Sequence, residues 1–559
     1  MNKVVYLFLF VFLSLYASAQ ESPAKKTNPV KFSGGLSLSS NAYSNGGVGR
    51  NRQSPFSYAI SGAPTLTIYN ISFPFSFTFS DQQFSYSHPF NRYGVSPNYK
   101  WIKLHLGYRS MNFSDYTVAG RQFLGAGIEL TPGKFHFSAL TGKLEDPYAQ
   151  RDSLVFGATT LDTYTRRIHS VKIGVGKTSG FDIIALKVKD EIDSATPQEA
   201  DNVRLVPKDN LVLGLNFRLL LFKRLQFKVE SAGSLHTNDA RATINADSLD
   251  LPQAYYTLNK IIKTNISTRW GTAGKAQVNL NLKPFTIGFG YQRVDPNFMS
   301  MGVYYMVTDF ENYTANFSTR LFKKQLRLKL KGGYQQNNLS LLRRATNLRK
   351  IGNVQINYAN PKGFTASLNI NNMQTDQRAG YVEIEDTLRL ALSNSSAIFN
   401  TGYGWKQGKT RQSISLNIGR TNFKDINPLY FTAIGETINN NAGISYSLKH
   451  KPSSMSYSIG INYYELNSSY NNSSGIGFNA GIGKKLLNKK LSIRFNTSLN
   501  QRKLDGEKDG YYLRLRNRMT YKVTKSQRLS FYISWAKRPS ISKTPLNETR
   551  ASISYGLNF

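Results

Sequence analysis

The chain has 559 residues, no cysteine, and 71 Lys plus Arg against 33 Asp plus Glu, a formal net charge of +38. Without cysteine there are no disulfides, thiolate metal sites or cysteine nucleophiles. Hydrophobic residues make up 40% and aromatics 13%, and no stretch after the N-terminal segment is apolar over the roughly 20 residues that a spanning helix needs.

The N-terminus sets an export address. Lys3 precedes an apolar run through Leu15, and Ala17-Ser18-Ala19 supplies small residues at the cleavage positions. This order reads as a signal peptide over 1–19, cut between Ala19 and Gln20. Export argues against nucleic acid as a partner in spite of the basic balance.

Residues 20–122 hold four candidate strands, at 32–40, 56–69, 71–80 and 101–113. Prolines inside a segment argue against a central place in a hydrogen-bonded ladder. The stretch 64–99, with Pro64, Pro74 and Pro97, is therefore expected to fold into a lumen instead of forming wall.

From Phe123 onward, segments of about ten residues alternate apolar and polar side chains, the period of a strand. Tight turns at 131–133, 178–180, 223–224, 283–284, 323–324, 361–363, 407–408, 451–452, 488–489 and 525–526 alternate with longer polar loops. Those loops are expected near 145–166, 191–208, 237–262, 294–310, 337–347, 372–393, 423–436, 467–474, 501–510 and 539–547. Twenty connections imply 21 strands. Short connections at one end and long ones at the other are the habit of outer-membrane barrels, with short periplasmic turns and longer extracellular loops. Parity requires an odd number of strands before Phe123. The expected fold is thus an all-β transmembrane antiparallel barrel of about 24 strands (22–26), with 123–559 its regular part and 20–122 completing the same domain.

The last segment shows the pattern cleanly, with Ala551, Ile553, Tyr555, Leu557 and Phe559 on one face. It resembles the end of outer-membrane β-barrel proteins whose terminal phenylalanine is read by the barrel-assembly machinery. That likeness implies an assembly signal at Ile553, Tyr555, Leu557 and Phe559. The stretch with Phe73-Pro74-Phe75, His88-Pro89-Phe90 and Tyr93-Gly94-Val95-Ser96-Pro97 resembles a segment of porin-like barrel proteins of Bacteroidetes-type Gram-negative envelopes, a group without an assigned function. TonB-dependent receptors place a plug of more than a hundred residues before the barrel. Here alternation begins about a dozen residues after the cleavage site, so that family is not expected.

Charges sort by place. Acids gather in or beside the loops, as in Glu145, Asp146, Asp152 and Asp162; Glu383, Glu385 and Asp386; and Asp505, Glu507 and Asp509. The turns carry Lys134, Lys223, Arg224, Lys323, Lys324, Lys362, Lys451, Lys489, Lys490 and Lys525. A basic periplasmic rim suits anionic headgroups, at about 1 kcal/mol per basic residue near the surface, or an acidic periplasmic or secretion partner. Within strands, Arg514, Arg516, Arg518 and Lys522 share one face, as do Arg327, Lys329 and Lys331. Arg494 heads a similar ladder, and Lys103 with His105 and Lys187 with Lys189 are shorter versions. An arginine facing lipid at mid-membrane costs about 2–4 kcal/mol, so these ladders are expected to line the lumen. Strand carboxylates are few, mainly Glu129, Asp182, Glu230 and Glu465.

The six histidines show no metal-ligand spacing, and no nucleophile motif or phosphate-binding loop stands out. Neither metal, cofactor nor enzymatic activity is expected. The expected function is an outer-membrane channel or transporter for hydrophilic solutes, with anions favoured by the basic lumen. The alternative is a non-conducting scaffold for envelope assembly, secretion or adhesion. Membrane lipid and lipopolysaccharide would be the surroundings in either case.

Overall fold

The computed structural model describes residues 29–46, 53–81, 92–145, 164–192, 206–242, 261–262, 264–380, 390–427, 435–538 and 546–559. The signal segment with Ala19 and Gln20 lies outside these residues, as do Asp146, Asp152, Asp162, Glu383, Glu385 and Asp386.

The described residues form one closed antiparallel sheet of 26 strands. Five come first: β1 (Val30–Ser33 with Gly35–Asn45), β2 (Phe56–Gly62 with Thr65–Ile68), β3 (Ile71–Ser80), β4 (Arg92–Val95 with Asn98–Tyr99) and β5 (Ile102–Ser110). Next are β6 (Gln122–Leu130), β7 (Phe135–Glu145), β8 (Arg166–Val175), β9 (Gly180–Asp190), β10 (Asp209–Leu221), β11 (Leu225–Thr237) and β12 (Thr268–Leu282). Then follow β13 (Phe285–Val294), β14 (Phe310–Leu321), β15 (Leu326–Asn337), β16 (Ala345–Ala359), β17 (Phe364–Ala379), β18 (Ala391–Gln407) and β19 (Thr410–Asp425). The wall ends with β20 (Thr437–His450), β21 (Met455–Ser468), β22 (Asn472–Leu486), β23 (Leu491–Leu504), β24 (Glu507–Lys522), β25 (Gln527–Arg538) and β26 (Leu546–Asn558). β1 pairs with both β2 and β26, from Gly35 opposite Asn558 to Asn45 opposite Glu548, and this closes the cylinder.

From β6 the wall has the 21 strands read from the sequence. Five strands precede it, which puts the total at the upper end of the expected range. The difference lies in 64–99, which is wall and not lumen filling. The prolines fit because the ladder uses them as acceptors. Pro64, Pro74 and Pro97 each offer a carbonyl to the next strand, taking the N–H of Phe75 (2.8 Å), Ser96 (2.9 Å) and Leu104 (2.8 Å). Proline lacks only the donor, so a break that leaves its nitrogen unpaired keeps the strand in the sheet. Gly34 completes this line of breaks. A Cβ there would stand 2.5 Å from the Ala63 carbonyl oxygen, so only glycine allows the approach.

Two connections expected to be long loops are short. β21 and β22 are joined by residues 469–471, and β23 and β24 by Asp505-Gly506 alone. Both of the latter have positive φ, 49° and 88°, the geometry of a two-residue hairpin whose twist matches its strands. Asp509 therefore lies in β24, buried, with Arg502 at 3.3 Å.

The outer face is an apolar belt. Ile444, Ile461, Phe478 and Leu499 are direct cross-strand neighbours on β20 to β23, and Ile461 is 53% exposed on the bare barrel. Exposed apolar surface of this extent fits lipid and not water. Ile553, Tyr555 and Leu557 lie on this face. Phe559 stacks on Phe32 at 4.4 Å across the closing seam, and its backbone exchanges hydrogen bonds with Gly34. The ten basic turn residues all sit at the end of the barrel where connections are two to four residues long.

Candidate functional site

The inner face divides into two sectors. Along β5 to β14 it is covered by chain. Segments 111–121, after β5, and 295–303, after β13, turn inward and join each other through a bridge between Ala119 and Val303. Met111, Phe113, Tyr116, Phe298 and Met301 pack on Ile184, Leu186 and Val212, wall residues with 0% exposure. Asn210 fastens the second segment, donating to the Met299 carbonyl (3.0 Å) and accepting from the Met301 N–H (2.9 Å). Ser300 donates to the Thr117 carbonyl (2.8 Å) and Asn216 to that of Phe113 (3.2 Å). Burial pushes the Tyr116 phenol up to about 12.

Several cations in this sector have carboxylate partners, whereas Arg109 donates to Ser76 and the Pro74 carbonyl and Lys172 lies over the Phe113 ring. Lys275 bonds Asp115 and lies 3.1 Å from Glu230. Asp182 takes Arg218 at 3.2 Å and His136 at 3.4 Å, and Arg166 grips Asp190 through two nitrogens (2.7 and 3.1 Å). His105 joins three strands: Ser96 Oγ donates to its Nδ1 (3.2 Å), and its Nε2 donates to Glu129 (2.5 Å), which Lys103 also meets at 3.2 Å. The order of groups is that of a serine hydrolase relay. Its setting is a seam: β4 shares only four residue pairs with β5, and Ser96 and His105 are 8% and 4% exposed. The relay replaces ladder bonds that the break at Pro97 removes.

Lys187 and Lys189 do not line the lumen. They share the outward face of Phe181, Ile183 and Ala185, with Lys187 held by Asp209 at 2.5 Å. β9 is apolar on both faces, so alternation alone could not say which face was which.

Along β15 to β26 the inner face is different. Arg514, Arg516, Arg518 and Lys522 share the face opposite Leu513 and Leu515, with Ser498, Asn496 and Arg494 across from the three arginines on β23. Arg494 and Arg518 are thus direct neighbours. Arg327, Lys329 and Lys331 stand opposite Asn357, Gln355 and Asn353. Among the described residues, none of these eight cations is ion-paired with a carboxylate. Arg514 lies over the Tyr512 ring (5.1 Å) and Arg518 over that of Tyr532 (5.6 Å), while the buried Nε of Arg516 has no hydrogen-bond partner. Three of the four strand carboxylates singled out from the sequence, Glu129, Asp182 and Glu230, are held in the covered sector.

Sequence reasoning missed the paving between these cations. Asn441 donates to Asn417 (2.7 Å), which donates to Asn400 (2.5 Å); Asn479 donates to Asn462 (2.7 Å), which donates to Asn500 (3.3 Å). Glycines make room for the amides. A Cβ on Gly477 would strike both Asn462 and Asn500, and one on Gly419 would strike Asn441. The readable signal was the middle of the inward register of β18 to β23, where Asn, Ser and Gly dominate, as in Asn400 and Gly402, Ser415 and Asn417, Asn441 and Gly443, and Asn496 and Ser498. Where Gly402, Gly443 and Gly460 thin this layer, a groove of about 760 Å³ runs along the wall and reaches Arg516.

Fold and inner face together define a membrane-spanning, outer-membrane-type β-barrel, closed and of 26 strands. No family model matches the chain, and no curated protein matches it. Among solved structures it is similar to OccK2 (OpdF) of Pseudomonas aeruginosa, at 11% identity and a TM-score of 0.30, covering 95% of this chain and 98% of that one. It is similar to the translocation pore of the P pilus usher PapC at 10% identity and a TM-score of 0.40, covering 94% and 100%. The FrpB iron transporter of Neisseria meningitidis matches at 11% and 0.38, covering 94% and 81%.

Proposed function

We propose that this barrel is an outer-membrane channel through which hydrophilic solutes diffuse, with anions preferred. One observation carries the reading: eight inward cations without carboxylate partners line the sector that the inturned segments leave uncovered. Rings and ladders of Lys and Arg lower the energy of an anion in a pore and raise that of a cation. Low-dielectric walls focus that field into the lumen. The amide paving supplies donors and acceptors that replace part of a polar solute's hydration without trapping it by charge.

In this reading the protein has no catalytic role. Its surroundings are outer-membrane lipid and lipopolysaccharide, and its basic turns meet headgroups or a periplasmic partner. The purified barrel in a planar bilayer should conduct and show an anion-selective reversal potential. Replacing Arg514, Arg516 and Arg518 by Glu moves that potential toward cation selectivity, and an unmoved potential overturns the pore-lining role. The inturned segments favour one second reading, a closed scaffold; a barrel that inserts but does not conduct supports it.

A further inference from the structure

We infer that the groove ending at Arg516 is a saturable binding site for polyhydroxylated monoanions, the chemistry of sugar acids and short acidic saccharides. The inference rests on the channel reading, and it adds a ligand class and a place. Two features of the groove, taken together, select that class.

The first is its neutral length. Asn400, Asn417, Asn462, Asn479 and Asn496 line it with Arg516, and each amide offers donors and an acceptor on one flat group. Neighbouring strands lie about 4.8 Å apart, so the amides recur at a spacing that hydroxyls on successive sugar carbons and rings can follow. The second is its single charge. Arg516 is the one cation among the lining residues, and no carboxylate is among them. Its guanidinium has no carboxylate partner among the described residues, so an anionic oxygen in the groove would meet an unanswered charge. Arg514 and Arg518 flank it on the same face, and Arg494 directly opposes Arg518. Like charges placed so are repulsive, which further favours an anion at this end. A bare inorganic anion would use Arg516 and leave the amides idle. An uncharged sugar would use the amides and leave the guanidinium idle.

Gluconate, acetate and sorbitol separate these cases, because gluconate alone has both a carboxylate and a row of hydroxyls. In planar bilayers gluconate should reduce the current saturably, at concentrations at least tenfold below those of acetate or sorbitol. Arg516→Gln should weaken the gluconate effect at least tenfold while moving that of sorbitol less than twofold. Gly443→Leu tests the groove independently, since a Cβ there meets only ordinary contacts at 3.5 Å and beyond while the side chain fills the space; it should remove the gluconate effect. Acetate equal to gluconate, or undiminished gluconate affinity in either variant, overturns the site. If the barrel does not conduct, the channel reading fails separately. Calorimetric titration of gluconate into the detergent-solubilised protein then decides: heat lost in Arg516→Gln supports the site, and no heat in the parent protein overturns it.

Discussion

The two sectors of the wall solve the problem of buried polar groups in opposite ways. Along β5 to β14 Lys103, Arg166, Arg218 and Lys275 are answered by carboxylates, and chain covers the inward apolar side chains. Along β15 to β26 the eight ladder cations have no such answer, although Arg502 and Arg550 do, and the space between the ladders is paved with amides and glycine. Pairing makes the first sector a core, with the cost structure of a soluble protein interior. Leaving charges unpaired makes the second a solvent-facing surface turned inside out. The same strand period underlies both; what differs is whether a third layer lies on the inner face.

Releasing that third layer should give the largest effect. Asn210 is fully buried and ties Met299 and Met301 to the wall. Asn210→Ala leaves the buried Met301 N–H without its partner, at about 1–3 kcal/mol, and takes one of two donors from the Met299 carbonyl. The inturned segments should loosen, and single-channel conductance should rise several-fold with the reversal potential still anion-selective. A conductance equal to that of the parent protein would show that the covered sector does not limit the opening.

Charge removal comes next. Asp182 is buried between Arg218 and His136. Asp182→Ala strands a cation in that sector and should cost about 3–5 kcal/mol, read as a lower temperature for the loss of the compact band on unheated gels. Arg516→Met in the other sector removes a charge that has no partner, and should leave that temperature within a degree or two. If both variants fall alike, the two sectors do not differ as described. A milder version lies at the seam. His105→Ala removes the links to Ser96 and Glu129 where β4 and β5 share few ladder bonds, and should lower stability by about 1–3 kcal/mol. His105→Asn, which keeps a donor and an acceptor, should recover part of it.

Much of this was legible in the sequence because it is local. Turn residues and period-two alternation marked every strand from β6 to β26, and the arginines of β24 alternate with Leu513 and Leu515 so that only one assignment of faces escapes the cost of a charge in lipid. What was not legible depends on partners distant in sequence. Pro64, Pro74 and Pro97 spoke against a ladder, since a sequence shows the missing donor and not the neighbour that uses the carbonyl. Segment 295–303 read as a loop and 111–113 as the end of a candidate strand, because their cover, Ile184, Leu186 and Val212, belongs to other strands. One signal did point to them: β9 carries Phe181 and Ile183 outward and Ile184, Leu186 and Val188 inward. A strand apolar on both faces has something packed on both. That same doubling hid the outward placement of Lys187 and Lys189. The amide groove was missed for the converse reason, since Asn, Ser and Gly look like bland polar alternation until register sets each amide over a glycine.

The smallest expected effect tests that last point. Asn462 is bonded to Asn479 and Asn500 and lies opposite Gly443 and Gly477. If the paving were a core, Asn462→Ala would leave unsatisfied partners and cost as much as Asn210→Ala. In a wet lumen, water replaces the lost amide at little cost, and the change in stability should stay below about 1 kcal/mol. Gly477→Val is the informative partner of this variant. Its Cβ would displace the amides of Asn462 and Asn500 from the wall into the lumen, so it should narrow the open sector and lower conductance more than it lowers stability. A Gly477→Val barrel that melts early but conducts like the parent would mean that the paving holds the wall together and does not shape the path through it.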